Sequence, residues 1–290
     1  MRSKTSQLAL LVALVLGLGG RLPASGTLDF VEAAIATNAR LKTELEWEFG
    51  GKTQRGWELY TPLIASLIRL DRDWDERRFV TALASWQARE RIAPTGILDH
   101  ETWSRMMTTW QNRRIEDRSY PPRSRLVTAM DSDLYDPERP MDLRLLERKT
   151  YAAYKRMVTA ARRDLGRDVS GDRTLRMMSE ARLLKIVSAF RSREYQEQLR
   201  REASPVGRAG LALYSTHFTG CALDLYVGGE PVSTRDDNRA LQTATPVYRW
   251  LAKNAGKFGF QPYFYEPWHW EYCPLGSKGS AGERQGRRHE

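Results

Sequence analysis

The chain has 290 residues, of which 41% are hydrophobic and 28% are charged, and its formal net charge is +10. This composition suits one large or two modest globular domains, and it excludes a membrane-embedded chain and a wholly disordered one. The charge comes mostly from scattered arginines, without a zinc-finger, RNP or P-loop pattern, so it does not indicate a nucleic-acid partner. A basic surface favours either general solubility or attraction to an anionic polymer such as a cell wall.

The first 25 residues have the pattern of a secretory signal peptide. Arg2 and Lys4 give a positive start, residues 8–18 an apolar stretch, and residues 24–26 a small-residue cleavage zone. The apolar stretch is short for a bilayer span, so an uncleaved anchor is the less favoured alternative. We therefore expect an exported protein, in the periplasm or in the cell wall or extracellular space, with no stable membrane span after cleavage.

Residues 26–111 have the apolar spacing of a small helical domain. Pro94 and Gly96 interrupt this spacing and separate its last two helices. Helices are predicted over about 27–49, from the Thr61-Pro62 pair onwards, over about 75–91, and from a cap at Asp99 to Met107.

Three short segments in this region, taken in order, resemble the small three-helix peptidoglycan-binding domains. They are Trp86-Gln87, Gly96-Ile-Leu-Asp99 and Thr102-Trp103. The resemblance implies a module that binds the glycan of a cell wall. The alternative is that all of these residues are core and turn residues with no ligand.

Two further segments have the composition of irregular structure. Arginine, aspartate and proline are concentrated in residues 112–140, which include Pro121-Pro122, so a linker between two domains is predicted there. Residues 276–290 are glycine-rich and basic, which predicts a disordered tail.

Residues 141–275 alternate between helical and strand patterns. Together these patterns predict an α+β domain in which helices flank a small, antiparallel sheet. The predicted helices are 141–165, ended by Gly166, a helix capped by Ser192 that runs to about 201, and a helix from Thr245-Pro246 to about 257. The predicted strands are 183–190, a pair around a turn within 211–227, and the aromatic stretch 263–272.

Two short segments hold two of the chain's four histidines. They are Ser215-Thr-His217-Phe-Thr-Gly220-Cys-Ala222-Leu-Asp224 and Glu266-Pro-Trp268-His269. His217, Asp224 and His269 could supply three zinc ligands and leave a fourth position for water. Glu266, three residues before His269, is a candidate base to take a proton from that water.

Gly220 bears on whether His217 and Asp224 can reach one ion. The two residues are seven apart, and an odd separation on an unbroken strand places side chains on opposite faces. Gly220 gives the chain between them the freedom to turn or bulge. The spacing is therefore consistent with a metal site to which a loop and a strand each contribute one ligand. No His-Glu-x-x-His sequence is present, which excludes the commonest metalloprotease motif.

These segments resemble the signatures of the M15 zinc peptidases, Ser-x-His-x-x-Gly-x-Ala-x-Asp followed by Glu-x-Trp-His. The likeness is greatest to the VanY-like D-alanyl-D-alanine carboxypeptidase branch. Supporting segments are Ser188-Ala-Phe-Arg191-Ser192, residues 250–260 and residues 265–272. The resemblance covers about residues 141–275 and implies the M15/Hedgehog-like fold, an α+β domain with a small antiparallel sheet.

The resemblance also implies the roles of five residues. His217, Asp224 and His269 match the family's zinc ligands. Glu266 matches its catalytic glutamate, which would accept a proton from water and pass it to the leaving amine. Arg191 matches the arginine of the Arg-Ser motif, whose guanidinium would stabilise the oxyanion of the scissile carbonyl.

Three further residues are candidate substrate contacts, each with an open alternative. Ser215 matches a family position near the substrate, but its hydroxyl could equally hold the metal loop together. Trp268 is expected to wall the pocket, with core packing as the alternative. Ser192 lies beside the candidate oxyanion arginine, but its sequence position also suits a helix cap.

Cys221 and Cys273 each follow a candidate zinc-ligand histidine by four residues. If both histidines converge on one metal, the cysteines could be close as well. Because an exported chain permits a disulfide, we predict one between them. The alternative is that one of the cysteines is an additional metal ligand.

Taken together, these patterns predict a secreted zinc-dependent D-alanyl-D-alanine carboxypeptidase that acts on peptidoglycan stem peptides. An L,D- or D,D-endopeptidase of the same family is the first alternative. A zinc-stabilised wall-binding protein without catalysis is the alternative from another class. The expected partners are peptidoglycan peptides and, through the helical domain, glycan, with no nucleic acid.

Overall fold

A computed structural model describes residues 24–71, 73–166, 182–202 and 215–274. The chain divides into two compact units at the Thr109–Trp110 boundary. Residues 1–23 of the predicted signal peptide lie outside the described residues. The predicted tail 276–290 lies outside them as well. In the described ranges, no helix combines the length and the apolar character that a membrane crossing requires.

The first unit contains helices and one β-hairpin around an aromatic core. The rings of Trp47 and Tyr60 each lie 5.0 Å from that of Trp103, centroid to centroid, and all three side chains are buried. The elements are α1 (Ala24–Glu44), β1 (Glu46–Phe49), β2 (Lys52–Arg55), α2 (Thr61–Leu67), α3 (Glu76–Arg89) and α4 (His100–Gln111), whose last two residues belong to the second unit.

The hairpin corrects the prediction of a helix over 27–49. Helix α1 ends at Glu44, and residues 46–55 pair as antiparallel strands. Gly50 and Gly51 form the turn with φ angles of 61° and 73°, a pair of left-handed conformations that glycine adopts without steric cost. The apolar residues at the end of the helical pattern misled the prediction, because the turn depends on the two glycines that follow them.

Three helix starts in this unit were predicted closely. The Asp75 carboxylate accepts a hydrogen bond from Arg78 N at 2.8 Å and caps α3. The Asp99 carboxylate accepts one from Thr102 N at 2.9 Å, and α4 then continues beyond Met107 to Gln111. Helix α2 begins at Thr61, although the residue in the cap position is Tyr60.

Two buried polar side chains hold the turn between α3 and α4. Asn38 donates to Gly96 O and accepts from Leu98 N, each at 2.8 Å. Gln87 accepts from Gly96 N at 2.8 Å and donates to the Thr102 hydroxyl at 2.8 Å. The residues that resemble a peptidoglycan-binding domain therefore serve the core and turn of this unit.

The second unit is an α+β fold with a four-stranded antiparallel sheet in the order β5-β6-β8-β7 and a separate pair, β3-β4. This confirms the predicted mixture of helices with small antiparallel sheets. The elements are β3 (Leu126–Thr128), β4 (Leu145–Glu147), α5 (Arg148–Leu165), β5 (Ile186–Ser188), α6 (Arg193–Glu202), β6 (Ala222–Leu225), α7 (Asp236–Thr243), α8 (Pro246–Asn254), β7 (Phe260–Pro262) and β8 (His269–Tyr272).

Residues 112–140, expected to be a linker, lie within this second unit. They include the 3-10 turns Arg123–Arg125 and Asp131–Asp133 and strand β3. Strand β3 pairs with β4, whose residues were assigned to a helix over 141–165. The composition of residues 112–140 is that of an irregular segment. The pairing of β3 with β4 nevertheless provides hydrogen-bond partners for part of its backbone.

Helix α5 starts later than predicted because Glu147 caps it. Its carboxylate accepts hydrogen bonds from Lys149 N at 2.7 Å and Thr150 N at 3.1 Å. The helix ends at Leu165 with Gly166 as its C-cap, as predicted. A glutamate is an uncommon N-cap, so the local sequence gave a weak signal for this boundary.

The remaining strand predictions were too long. The strand over 183–190 shortens to β5, and the aromatic stretch 263–272 divides into a turn followed by β8. In the stretch 211–227, residues 211–214 lie outside the described residues, and a 3-10 helix, Thr216–Thr219, precedes β6. The helix predicted to run to about 257 ends at Asn254 and continues as a 3-10 turn, Ala255–Phe258.

Candidate metal centre and active site

The side chains of His217, Asp224 and His269 meet at the junction of the 3-10 helix with β6 and β8. Asp224 and His269 are directly opposite one another in the antiparallel pairing of β6 and β8. Opposed residues in an antiparallel pair project from the same face of a sheet. His217 lies on the 3-10 helix before β6, outside the sheet.

Gly220 makes this convergence compatible with the seven-residue spacing. It ends the 3-10 helix in the left-handed conformation with φ 67°, and the chain turns there into β6. Its carbonyl also accepts a hydrogen bond from Glu147 N at 2.9 Å. The structure thus has the turn that the odd spacing required.

Gly220→Ala is expected to lower the free energy of unfolding by about 1–3 kcal/mol, because the new side chain meets both backbone strain and a steric clash. A Cβ at Gly220 would lie 2.8 Å from Glu147 N and 3.0 Å from a Leu126 methyl group. Denaturant unfolding of the metal-free protein measures the change.

Gly256→Ala is the matched control, because a Cβ there meets nothing within 4 Å and its φ is not positive. Equal stability of the two variants would contradict the account of Gly220.

The three side chains lie close enough together to bind one ion. His217 Nε2 lies 3.3 Å and His269 Nδ1 2.9 Å from the same Asp224 oxygen. One ligand atom from each residue lies within 4.8 Å of the others, and all three residues are buried. Ligand atoms held at about 2.0–2.1 Å from a tetrahedral zinc lie about 3.3 Å apart. The donor set and its spacing therefore fit zinc.

The second nitrogen of each histidine has its own acceptor. His217 Nδ1 lies 2.5 Å from the carbonyl oxygen of Ala189, and His269 Nε2 lies 3.1 Å from a carboxylate oxygen of Glu271. A ring nitrogen that donates a proton outwards leaves the lone pair of the other nitrogen facing inwards. Both inward nitrogens face Asp224.

The cluster also sets the charges of its own members. Burial lowers the pKa of His217. Burial opposes ionisation of Asp224, but His217 and His269 outweigh it and hold the pKa of Asp224 well below its usual range. Burial likewise opposes protonation of His269, but hydrogen bonds with Asp224 and Glu271 raise its pKa to about 9. The carboxylate is therefore ionised and available as a ligand.

Glu266 lies on the turn that leads into β8. Its backbone carbonyl accepts a hydrogen bond from His269 N at 2.9 Å, which ties it to the candidate ligand. Burial raises the pKa of Glu266. The nearby charge of His269 lowers this pKa, and that of Asp224 raises it. In the described part of the chain, no group donates a hydrogen bond to the Glu266 carboxylate. Glu266 thus lies near enough to the cluster to interact with its charges.

Arg191, three residues after β5, forms an ion pair with this cluster. Its guanidinium Nη2 lies 3.6 Å from the second Asp224 oxygen, and its backbone N donates to His217 O at 3.3 Å. The side chain is 19% exposed, so it borders both the cluster and the solvent.

The three candidate substrate contacts have structural roles here. Ser215 Oγ accepts from His217 N at 3.3 Å and caps the 3-10 helix. Ser192 Oγ accepts from Tyr195 N at 3.1 Å at the start of α6. Ser192 therefore caps this helix, which was the alternative to a substrate contact. Trp268 is 2% exposed, which places it in the core. Contact of any of them with substrate remains a prediction.

Cys221 and Cys273 are free thiols, which corrects the predicted disulfide. Tyr272 N donates to Cys221 O at 2.7 Å, so Cys221 lies opposite Tyr272 in the continuation of the β6–β8 pair. Cys273 is the next residue, and successive side chains on a strand point to opposite faces. The two thiols therefore diverge, although both follow a histidine by four residues.

Sequence reasoning missed two residues of this site. Glu271 is fully buried and contacts His269. It follows His269 by two residues on a predicted strand, and residues at this spacing share one face, so the sequence could have indicated the contact. Arg114 contacts Glu271 from 157 residues away, and no local signal points to it.

Comparisons with known proteins give a family match and likenesses to solved structures. Residues 143–275 match the family model VanY, described as D-alanyl-D-alanine carboxypeptidase. The chain is also similar to the solved structure titled "Structure of the LdcB LD-carboxypeptidase reveals the molecular basis of peptidoglycan recognition". That similarity has 26% sequence identity and a TM-score of 0.38, and it covers 55% of this chain and 72% of the other. No curated protein matches the chain by sequence.

Proposed function

As residues 143–275 are a VanY-like domain of the M15 peptidases, we propose that the chain is a zinc-dependent D-alanyl-D-alanine carboxypeptidase acting on peptidoglycan stem peptides. The observation that carries the proposal is the buried cluster of His217, Asp224 and His269 with Glu266 beside it. A binding protein would need no base next to its metal ligands.

Each side chain has a definite task in this proposal. A zinc ion held by His217, Asp224 and His269 would supply a Lewis acid that polarises the scissile carbonyl. Glu266 takes a proton from the attacking water and delivers it to the leaving amine, a role that its raised pKa favours. Arg191 donates hydrogen bonds to the carbonyl oxygen as negative charge develops there.

The rest of the chain fits a wall enzyme in this proposal. The sequence pattern of the first 25 residues would direct export to the periplasm or cell wall. Residues 26–111 would hold the enzyme on glycan, as their resemblance to peptidoglycan-binding domains implies. A basic net charge of +10 would favour the approach to an anionic wall.

Digestion of defined muropeptides by the full chain tests the cleavage site. We expect the stem pentapeptide to lose one terminal D-alanine, with the fragments identified by mass spectrometry. Loss of D-alanine from the tetrapeptide instead would indicate L,D-carboxypeptidase activity. Cleavage only within cross-linked peptides would indicate an endopeptidase. Wall binding without any product would overturn the enzymatic proposal in favour of the binding protein.

Removal of the metal is expected to abolish this hydrolysis. After treatment with 1,10-phenanthroline and dialysis, activity should fall to the background rate, because the scissile carbonyl would lose the Lewis acid that polarises it. Addition of zinc should restore it. Full activity of a chain whose metal content is verified as negligible would contradict the zinc dependence.

A further inference from the structure

Glu271 lies next to His269 in the second unit, at the candidate metal centre. It follows His269 by two residues on β8, so both side chains project from the same face of the strand. Glu271 is 0% exposed, and its Oε1 lies 3.1 Å from His269 Nε2. A fully buried carboxylate needs several donors to remain ionised.

Arg114 and the backbone that follows it supply those donors. Arg114 Nε donates to Glu271 Oε1 at 2.9 Å, and its Nη2 donates to the same oxygen. The backbone N of Ile115 donates to Oε2 at 2.8 Å. The Arg114 guanidinium also stacks 3.9 Å from the centroid of the Tyr263 ring, so its own position is fixed. Both carboxylate oxygens are thus occupied and oriented.

The two ring nitrogens of His269 face different carboxylates. Nε2 lies 3.1 Å from Glu271 Oε1 and 3.3 Å from the Thr216 hydroxyl oxygen, and Nδ1 lies 2.9 Å from Asp224 Oδ1. A histidine that binds a metal typically donates its other ring N–H to a carboxylate, a carbonyl or water, which fixes the tautomer. Glu271 is placed to accept the Nε2 proton, so Nδ1 is the nitrogen on the side of the candidate ligand Asp224.

The two histidines differ in how their orientation is fixed. His217 Nδ1 points at the backbone carbonyl of Ala189, which no substitution removes. His269 Nε2 faces side chains instead, namely Glu271, which Arg114 holds, and the hydroxyl of Thr216 at 3.3 Å. The orientation of one ligand histidine is therefore open to change by a single substitution outside the ligand set.

We propose that Glu271, held by Arg114, is the positioning residue that fixes His269 for metal binding through Nδ1. This inference rests on the zinc site of the proposed function. Such a carboxylate behind a histidine ligand fixes the ring and increases its basicity, and its loss typically weakens metal binding by about 10–100-fold.

The test compares the zinc affinity of Glu271→Gln with that of the wild-type full chain, by competition with a fluorescent zinc chelator. Glutamine keeps the size of the side chain and an acceptor oxygen but lacks the charge. We expect a zinc affinity about 10–100-fold lower. Because no substrate is present, this readout is independent of hydrolysis.

Asp133→Asn is the matched control for the loss of a buried carboxylate. Asp133 is 4% exposed, and its carboxylate accepts from Lys155 Nζ at 2.8 Å and Tyr151 Oη at 2.6 Å, but it contacts none of the three candidate ligands. We expect this variant to lose stability yet bind zinc as the wild type does. Unchanged zinc affinity of Glu271→Gln, or an equal loss in both variants, would overturn the role of Glu271.

Nitrogen-15 NMR of histidine in the zinc-loaded wild type tests the same inference without any substitution. The chain has only four histidines, so the signals can be assigned individually. We expect His269 to carry its proton on Nε2 and His217 on Nδ1. Zinc bound through His269 Nε2 would overturn the proposal. A wild type that binds zinc but leaves muropeptides uncut would overturn the carboxypeptidase function alone.

Discussion

Glu266→Gln is expected to bind zinc as tightly as the wild type while its kcat on the stem pentapeptide falls by about 10²–10⁴-fold. The amide has the shape of the carboxylate but cannot take a proton from water. Glu266 is not among the residues whose ligand atoms cluster around Asp224, so the metal site should remain intact. Metal analysis and steady-state kinetics on the same preparation measure both quantities.

Glu230→Gln controls for the loss of a glutamate charge from the same unit. The Glu230 side chain is 57% exposed and pairs with Arg235 at 3.1 Å, on the surface after β6. An exposed ion pair contributes little to stability, so wild-type kinetics are expected. If Glu266→Gln retained the kcat of this control, Glu266 would not be the base, and another group would have to move the proton.

His217→Ala is expected to lose both zinc and activity. The substitution leaves two protein ligands, Asp224 and His269, where a catalytic zinc site normally has three. The loss of zinc affinity should exceed the about 10–100-fold expected for a residue behind a ligand, such as Glu271. Hydrolysis should fall to that of the chelated wild type. Metal content after dialysis and the rate of D-alanine release are the two readouts.

His100→Ala is the histidine control, because His100 is exposed at the start of α4 in the first unit. It should keep the zinc content and rate of the wild type. Since His217 is buried, the free energy of unfolding of each metal-free variant must be measured as well. A folded His217→Ala protein that still holds one zinc per chain would refute the assignment of His217 as a ligand.

Local chemistry explains which elements could be predicted. Asp75, Ser192 and Thr245 each accept a hydrogen bond from the backbone N three residues later, so their helix starts are encoded within four residues. Glu147 works in the same way but belongs to a residue type that seldom caps helices. The start of α5 was therefore placed too early.

The resemblance in sequence was sufficient to predict the VanY-like match over residues 143–275 and to name the three candidate metal ligands. His217, Asp224 and His269 lie in two short segments whose spacing is unusual, and Gly220 indicated the turn that their convergence needs. A left-handed turn and two opposed strand positions are determined by short-range backbone geometry. Such features can be recognised in the sequence alone.

Only the tertiary structure decided what surrounds these residues. The strand register separates the thiols of Cys221 and Cys273, and register depends on pairing between strands far apart in the chain. The contact of Arg114 with Glu271 joins residues 157 positions apart, so no local pattern could indicate it. The sequence by itself thus determined the identity of the candidate ligands. Long-range packing determined the hydrogen bonds that orient one of them.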